Sequence, residues 1–273
     1  MSTLLQQIVN GICLGSVYAL IAIGYTMVYG IIKLINFAHC DIYMVGAFLG
    51  YFAATVLGLG FIPCLIFSMV SCAVLGMLIE RIAYKPLRNS PNVTLLITTM
   101  GMELILQNFV KADFVAGPNT RNFPEVIPLI SYKIGAITIS NLQIIALAIT
   151  IVLCVALQYL VNKTRTGRAM RATSYDRDAA ALMGININRV ISLTFALGSA
   201  LAATAGVLVG MLYPRLEPAM GVMPGLKSFV AAVLGALELY QGPCLVDLQW
   251  DLLRLYQRYI LVQDYQMQLL FQF

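Results

Sequence analysis

Long apolar runs broken by short charged stretches set the architecture of this chain. Met1 to Ile32 carries no charge, Ile42 to Ile79 carries none, and Val190 to Pro214 carries none. A membrane-crossing helix needs about 20 apolar residues, so each run is long enough for one or two spans. The pattern predicts spans over Leu4 to Ile32, Tyr43 to Gly58, Pro63 to Ile79, Val93 to Lys111, Asn141 to Val161 and Val190 to Tyr213, with a further pass beginning over Gly225 to Leu237. The expected fold is an all-α, polytopic integral membrane helix bundle of about seven spans. Three regions follow: a transmembrane domain over 1–237, a loop over 162–189 within it, and a divergent amphipathic or disordered tail over 238–273.

Small residues recur at helical spacing inside two of the runs. Gly11, Gly15 and Ala19 lie four apart, as do Gly198, Ala202, Gly206 and Gly210. Such ridges let helix backbones approach closely in lipid, where burying oily side chains gains little. The second ridge is the stronger candidate for helix packing.

Polar residues interrupt the runs at three places. Lys33, Asn36, His39 and Asp41 fall within nine residues. Polar groups at membrane depth need partners or water, so this stretch reads either as a broken helix lining a pathway or as a solvated interfacial loop. Glu103 lies inside a span, and Thr94, Thr98, Glu103 and Gln107 fall near one helical stripe. Asn36, His39, Thr98 and Glu103 are the candidate pathway residues; the bland alternative for Glu103 is a pairing that only orients helices. Ala112 to Ser140 holds Gly117, Pro118, Pro124 and Pro128 and reads as an external loop, with YKIGAITIS as a short hairpin arm.

Composition agrees with the pattern. Charged residues are 11% and hydrophobic residues 60%, against about 25% charged in soluble domains. The net charge of +5 reflects cytoplasmic loops and does not point to nucleic acid. Glu80 to Asn92 and Asn162 to Arg189 are the two basic cytoplasmic loops, and two spans separate them, so the parity agrees. The six cysteines form no C-x-x-C pair, and His39 has no second ligand at metal-binding spacing, so no metal or cofactor is expected. The N-terminus lacks a basic n-region and a cleavage site, so the first span is expected to insert and stay.

The basic loop carries the most specific signal. It holds six of the 17 Lys and Arg residues, and within it Asp178-Ala179-Ala180-Ala181-Leu182-Met183-Gly184 has the pattern acid-Ala-Ala-x-x-x-Gly. The spacing suits a short surface helix: an acid in the first turn, small alanines, and a glycine that ends it in a left-handed cap. This segment resembles the coupling loop of ABC importer permeases. DRDAAALMGININRVISLTFALGSALAATAGVL, with GSVYALIAIGYTMVYGIIKLINFAH, LITTMGMELILQN and PGLKSFVAAVLGA, is similar to the permeases of branched-chain amino-acid ABC importers of the LivH/LivM type, from about residue 5 to 236. Cys40 stands where the family commonly has glycine after NFAH.

The resemblance implies an eight-span fold in a bacterial inner membrane. It also implies a complex with a second, LivM-type permease subunit, two ATP-binding cassette subunits and a periplasmic substrate-binding protein, carrying leucine, isoleucine or valine. The chain itself has no phosphate-binding loop and is expected to be a transport subunit, not an enzyme. Asp178, Ala179, Ala180 and Gly184, with Arg171 as a charge partner, are the expected ATPase contacts. Urea or short amides are alternative cargoes, and an ion-coupled transporter or channel is the alternative class. Beyond Ala236 the family's glycine-rich apolar sequence gives way to seven of the chain's twelve glutamines with scattered charges. That change is expected to reflect a shifted reading frame or appended foreign sequence, leaving the bundle without its last one or two helices.

Overall fold

The structure is a computed structural model that describes residues 2–239 except 34–35, 89, 114–115 and 135–136. The expectations for the tail over 240–273 lie outside the described residues.

The chain begins with α1 (Ser2–Ile32), breaks, and resumes as α2 (Ala38–Thr55) and α3 (Phe61–Ile79). The helix does not end at Ile79, where the basic loop was expected to start. It runs on through a π-helical turn, Glu80–Tyr84, into α4 (Lys85–Leu87). The continuous segment Phe61–Leu87 is therefore 27 residues long, and Glu80 is 1% exposed. Then come α5 (Asn92–Lys111), a pair of short strands, β2 (Ser131–Ile134) and β3 (Ile137–Ser140), and α6 (Asn141–Lys163). The basic loop folds as α7 (Arg165–Tyr175) and α8 (Arg177–Leu182) before α9 (Ile187–Leu212). The described chain closes with α10 (Val222–Leu239).

Among the described residues seven helices have 18 or more residues, as the hydrophobic pattern predicts: α1, α2, α3, α5, α6, α9 and α10. Five segments are long and apolar enough to cross a membrane: Gln6–Ile32, Phe61–Leu87, Val93–Lys111, Asn141–Lys163 and Ile187–Leu212.

The bundle is built around α9, whose most apolar window is 78% buried, against 22% for α5 and for α6. Its small residues meet backbone. The Cβ position of Gly206 is blocked by the Tyr43 carbonyl and by the Ala47 nitrogen at 2.9 Å, and that of Gly210 meets Phe123 at 3.0 Å. Gly198 lies over Gly24 of α1, whose carbonyl oxygen stands 3.2 Å from the Gly198 Cβ position, while Ala202 is fully buried. Small residues on α2 reciprocate, because Gly46 abuts the backbone of Ala203. Polar groups of α3 then satisfy α2 carbonyls beside those glycines: Ser68 Oγ donates to Gly46 at 2.7 Å and Cys64 Sγ to Gly50 at 2.9 Å. In a bundle where apolar burial gains little over lipid, close backbone approach and interhelical hydrogen bonds supply the cohesion.

The hairpin segment locates the start of α1. β2 and β3 form an antiparallel hairpin with Ser131 opposite Ser140, the arm read from YKIGAITIS. Gln6 near the start of α1 exchanges two hydrogen bonds with the Thr138 backbone, at 2.7 and 2.8 Å. The start of α1 therefore lies on the hairpin side of the bundle, opposite the basic loop. A second two-residue pairing joins β1 (Arg121–Asn122) to β4 (Arg215–Leu216) and seats Phe123 against the end of α9.

Candidate functional site

Two groups of polar residues stand out, one inside the bundle and one at the end that carries the basic loop.

The inner group surrounds the break after α1. That helix ends on Lys33, a non-glycine residue at φ 59° whose N–H donates to the Tyr29 carbonyl at 2.7 Å. The left-handed conformation costs a non-glycine residue about 1 kcal/mol. The chain then turns back, and α2 starts at Ala38, five residues before the span expected from Tyr43. His39 lies against Gly24 and Gly198. Gly198 stands about 16 Å along α9 from Ile187 at 1.5 Å per residue, so the first turn of α2 sits well inside the bundle. This is a broken helix and not a solvated loop: Asn36, His39 and Asp41 are 2%, 1% and 0% exposed.

Each inner residue has a defined setting. Asn36 Oδ1 accepts from the Tyr84 hydroxyl at 2.6 Å. His39 packs edge-on to Tyr25, with ring centroids 4.7 Å apart, and its Nε2 has no hydrogen-bond partner among the described residues. Tyr25 reaches on to the Cys40 thiol. Asp41 accepts from Gln107 Nε2 at 3.3 and 3.4 Å, and the same amide lies 3.4 Å from Glu103 Oε1. One amide thus bridges two carboxylates from different helices. The structure brings Glu103 to Asp41 but not to Asn36, and Thr98 stands apart, donating to the Thr94 carbonyl of its own helix at 2.8 Å. Asp41, Gln107, Tyr25 and Tyr84 are absent from the candidate set read in sequence. Asp41 and Gln107 had a signal, polar residues inside apolar runs; the two tyrosines had none, being common in any apolar helix.

The second group is the basic loop. Thr164 caps α7, accepting from the Gly167 N–H at 3.1 Å. Asp176 caps α8, its Oδ1 accepting from the N–H groups of Asp178 and Ala179 at 2.9 and 3.0 Å. At the other end Gly184 takes φ 82°, and its N–H bonds the Ala181 carbonyl while Ile185 bonds that of Ala180, at 2.9 and 3.1 Å. That double bond pattern is the Schellman cap. A six-residue helix is thereby fixed at both ends. Asp178 and Ala179 are exposed, whereas Ala180 is 4% exposed and faces the bundle. Three large apolar side chains project from the loop: Tyr175 at 81%, Leu182 at 89% and Met183 at 83% exposure. Arg171 is held within the loop by Asn162 Oδ1 at 3.3 Å.

Two ties run from the loop into the helices. Arg177 donates from Nε, at 3.1 Å, and from Nη2 to the Ile31 carbonyl in the last turn of α1. Burial, with Arg88 nearby, lowers its guanidinium pKa from the ordinary arginine value, and Asp178 partly opposes this. At the start of α9, Asn188 accepts from Arg88 Nη1 at 2.7 Å and Ser192 donates to Glu80 Oε2 at 2.7 Å. Arg88 Nη2 completes this network with a 2.6 Å ion pair to Glu80 Oε1.

The family described as branched-chain amino acid transport system / permease component matches residues 7–247. The chain belongs to this family. The permease is 40% identical over 253 residues to the high-affinity branched-chain amino acid transport system permease protein BraD of Pseudomonas aeruginosa, a match covering 88% of this chain and 82% of that protein. It is 42% identical over 254 residues to LivH of Escherichia coli strain K12, covering 87% and 80% of the two. A probable branched-chain amino acid transport permease protein LivH from Methanocaldococcus jannaschii is 28% identical over 248 residues, covering 87% and 76%. Family membership and the apolar helices make this a multi-pass membrane protein. The family match extends past Ala236 to residue 247, beyond the point where the sequence was expected to depart.

Proposed function

We propose that this permease is the membrane-spanning subunit of a bacterial inner-membrane ABC importer for leucine, isoleucine and valine. The observation that carries the reading is its 40–42% identity, over most of both chains, to BraD and LivH permeases. The α7–α8 loop is the docking element for an ATP-binding subunit. Its two-ended capping supports this, since a rigid short helix can transmit a push that a floppy loop would absorb. Asp178 and Ala179 contact the ATPase, joined by the exposed Leu182 and Met183. Ala180 and Gly184 shape the helix from behind. Arg171 supplies positive charge at the rim.

The inner group belongs to the translocation path. Asn36, His39, Thr98 and Glu103 act there with Asp41 and Gln107 as the few polar groups of an apolar passage, which suits a zwitterion with an oily side chain. Gly198, Ala202, Gly206 and Gly210 hold α9 against its neighbours. A second permease subunit completes the path, two ATP-binding cassettes supply the energy, and a periplasmic binding protein delivers the cargo. The permease performs no bond chemistry.

The test is uptake of labelled leucine and labelled urea into vesicles holding the whole complex, with hydrolysis-dead ATPase subunits as control. Leucine uptake that needs hydrolysis is expected. Urea as the better cargo would reassign the substrate, and uptake that survives dead ATPases would remove the chain from this transporter class.

A further inference from the structure

The last four carbonyls of any α-helix lack intrahelical partners, and the negative end of the helix dipole favours a cation there. In α1 one of these carbonyls, that of the buried Ile31, receives a forked pair of N–H groups from Arg177. Arg177 is the first residue of α8, the helix fixed at both ends. Among the described basic side chains of the loop, Arg177 alone is hydrogen-bonded outside it. The opposite end of the loop enters α9, which Asn188 and Ser192 fasten to Arg88 and Glu80. The loop is thus tied to the end of α1 at its middle, through Arg177, and to Glu80 and Arg88 where it enters α9. Six residues, 32–37, separate Ile31 from α2; among those described, Lys33 is left-handed and Asn36 is held by Tyr84.

We propose that Arg177 is a positioning residue for transport. It carries displacement of the docking helix into the end of α1, and so into the break beside the inner polar group. This assignment rests on the importer reading above. Its geometry favours arginine over lysine, because only the planar fork places two N–H donors on one carbonyl. Arg177 therefore acts after docking, not in it: the ATPase seats on the exposed side of α8, while the guanidinium points back into the bundle.

The experiment uses the full complex in vesicles with Arg177→Ala and Arg177→Lys. Two quantities are read for each: recovery of the ATPase subunits with the permease, and leucine taken up per ATP hydrolysed. Arg177→Ala is expected to retain the ATPase subunits while uptake per ATP falls at least about 10-fold, the factor that 1.4 kcal/mol represents. Arg177→Lys, with the charge but without the planar fork, is expected to fall between. Unchanged uptake per ATP in Arg177→Ala overturns the proposal. So does loss of the ATPase subunits in step with uptake, which makes Arg177 a docking contact. If the alanine permease itself fails to fold and insert, the lysine variant decides: an intermediate ratio supports the tie, and a wild-type ratio removes it. The importer reading fails separately, on absence of hydrolysis-dependent uptake by the unmodified complex.

Discussion

Helix α9 and the basic loop that leads into it are held by opposite means. In α9 small residues face the backbones of α1 and α2, Gly76 of α3 faces the backbone of α9, and side-chain hydrogen bonds at its middle run to its own turns, as from Thr194 and Thr204. In α7 and α8 little is buried, and order comes from caps and a few charged ties: Asp176, Gly184, Arg177 and the Arg88–Glu80 pair. A tightly packed interface resists small displacements, because any shift brings backbone atoms into collision. A capped helix on polar tethers can move as a unit while its internal bonds persist. By this contrast α9 is the closely packed element and the loop the more lightly held one.

The comparison can be broken at its strongest point first. Gly206→Leu places a side chain where Tyr43 and Ala47 backbone already stands. Separation of α2 from α9 should cost about 3 kcal/mol or more, read as a fall in detergent thermal stability and in recovered protein; a wild-type melting temperature would end the claim that this crossing is rigid. Glu80→Ala comes next. It leaves Arg88 without its carboxylate and Ser192 without its acceptor, and removing one partner of a buried pair costs about 3 kcal/mol. The loss should be smaller than for Gly206→Leu because Arg88 is partly exposed and can rehydrate. Equal melting temperatures for Glu80→Ala and the wild type would show that the tether is dispensable.

Gly184→Asp should do little to the isolated permease, about 1 kcal/mol for forcing φ 82° on a non-glycine residue. Nothing stands within 4 Å to clash. Membrane insertion should be normal while co-purification of the ATPase subunits is lost; retention at wild-type levels would separate Gly184 from docking. The smallest effect is expected at Gly101→Ala on α5, where the space is also open. A gain of about 0.5 kcal/mol in the isolated subunit follows from helix propensity alone. A loss there would mean that α5 depends on a close contact the way α9 does.

Much of this was legible before any coordinates. Apolar runs gave the long helices, small residues four apart marked α9 as a packing helix, and acid-Ala-Ala-x-x-x-Gly gave a short helix ended by a left-handed glycine. The polar break was harder. Lys33, Asn36, His39 and Asp41 fit a solvated loop as well as a buried turn, and nothing local separates the two. Ile79 was read as a helix end because charge begins at Glu80; the helix continues because Arg88 and Ser192, eight and 112 residues away, satisfy that carboxylate.

The sequence by itself determined that the chain is a membrane bundle, which segments form its long helices and which loop is basic. Those properties depend on local composition and spacing, which each segment carries without its neighbours. Only the tertiary structure decided that the first turn of α2 lies inside the bundle, that Gln107 joins Asp41 to Glu103, and that Arg177 holds the end of α1. Each of these joins residues from separate helices, and the cost of burying a polar group is set by the partner that arrives across space, not by the residues beside it in the chain.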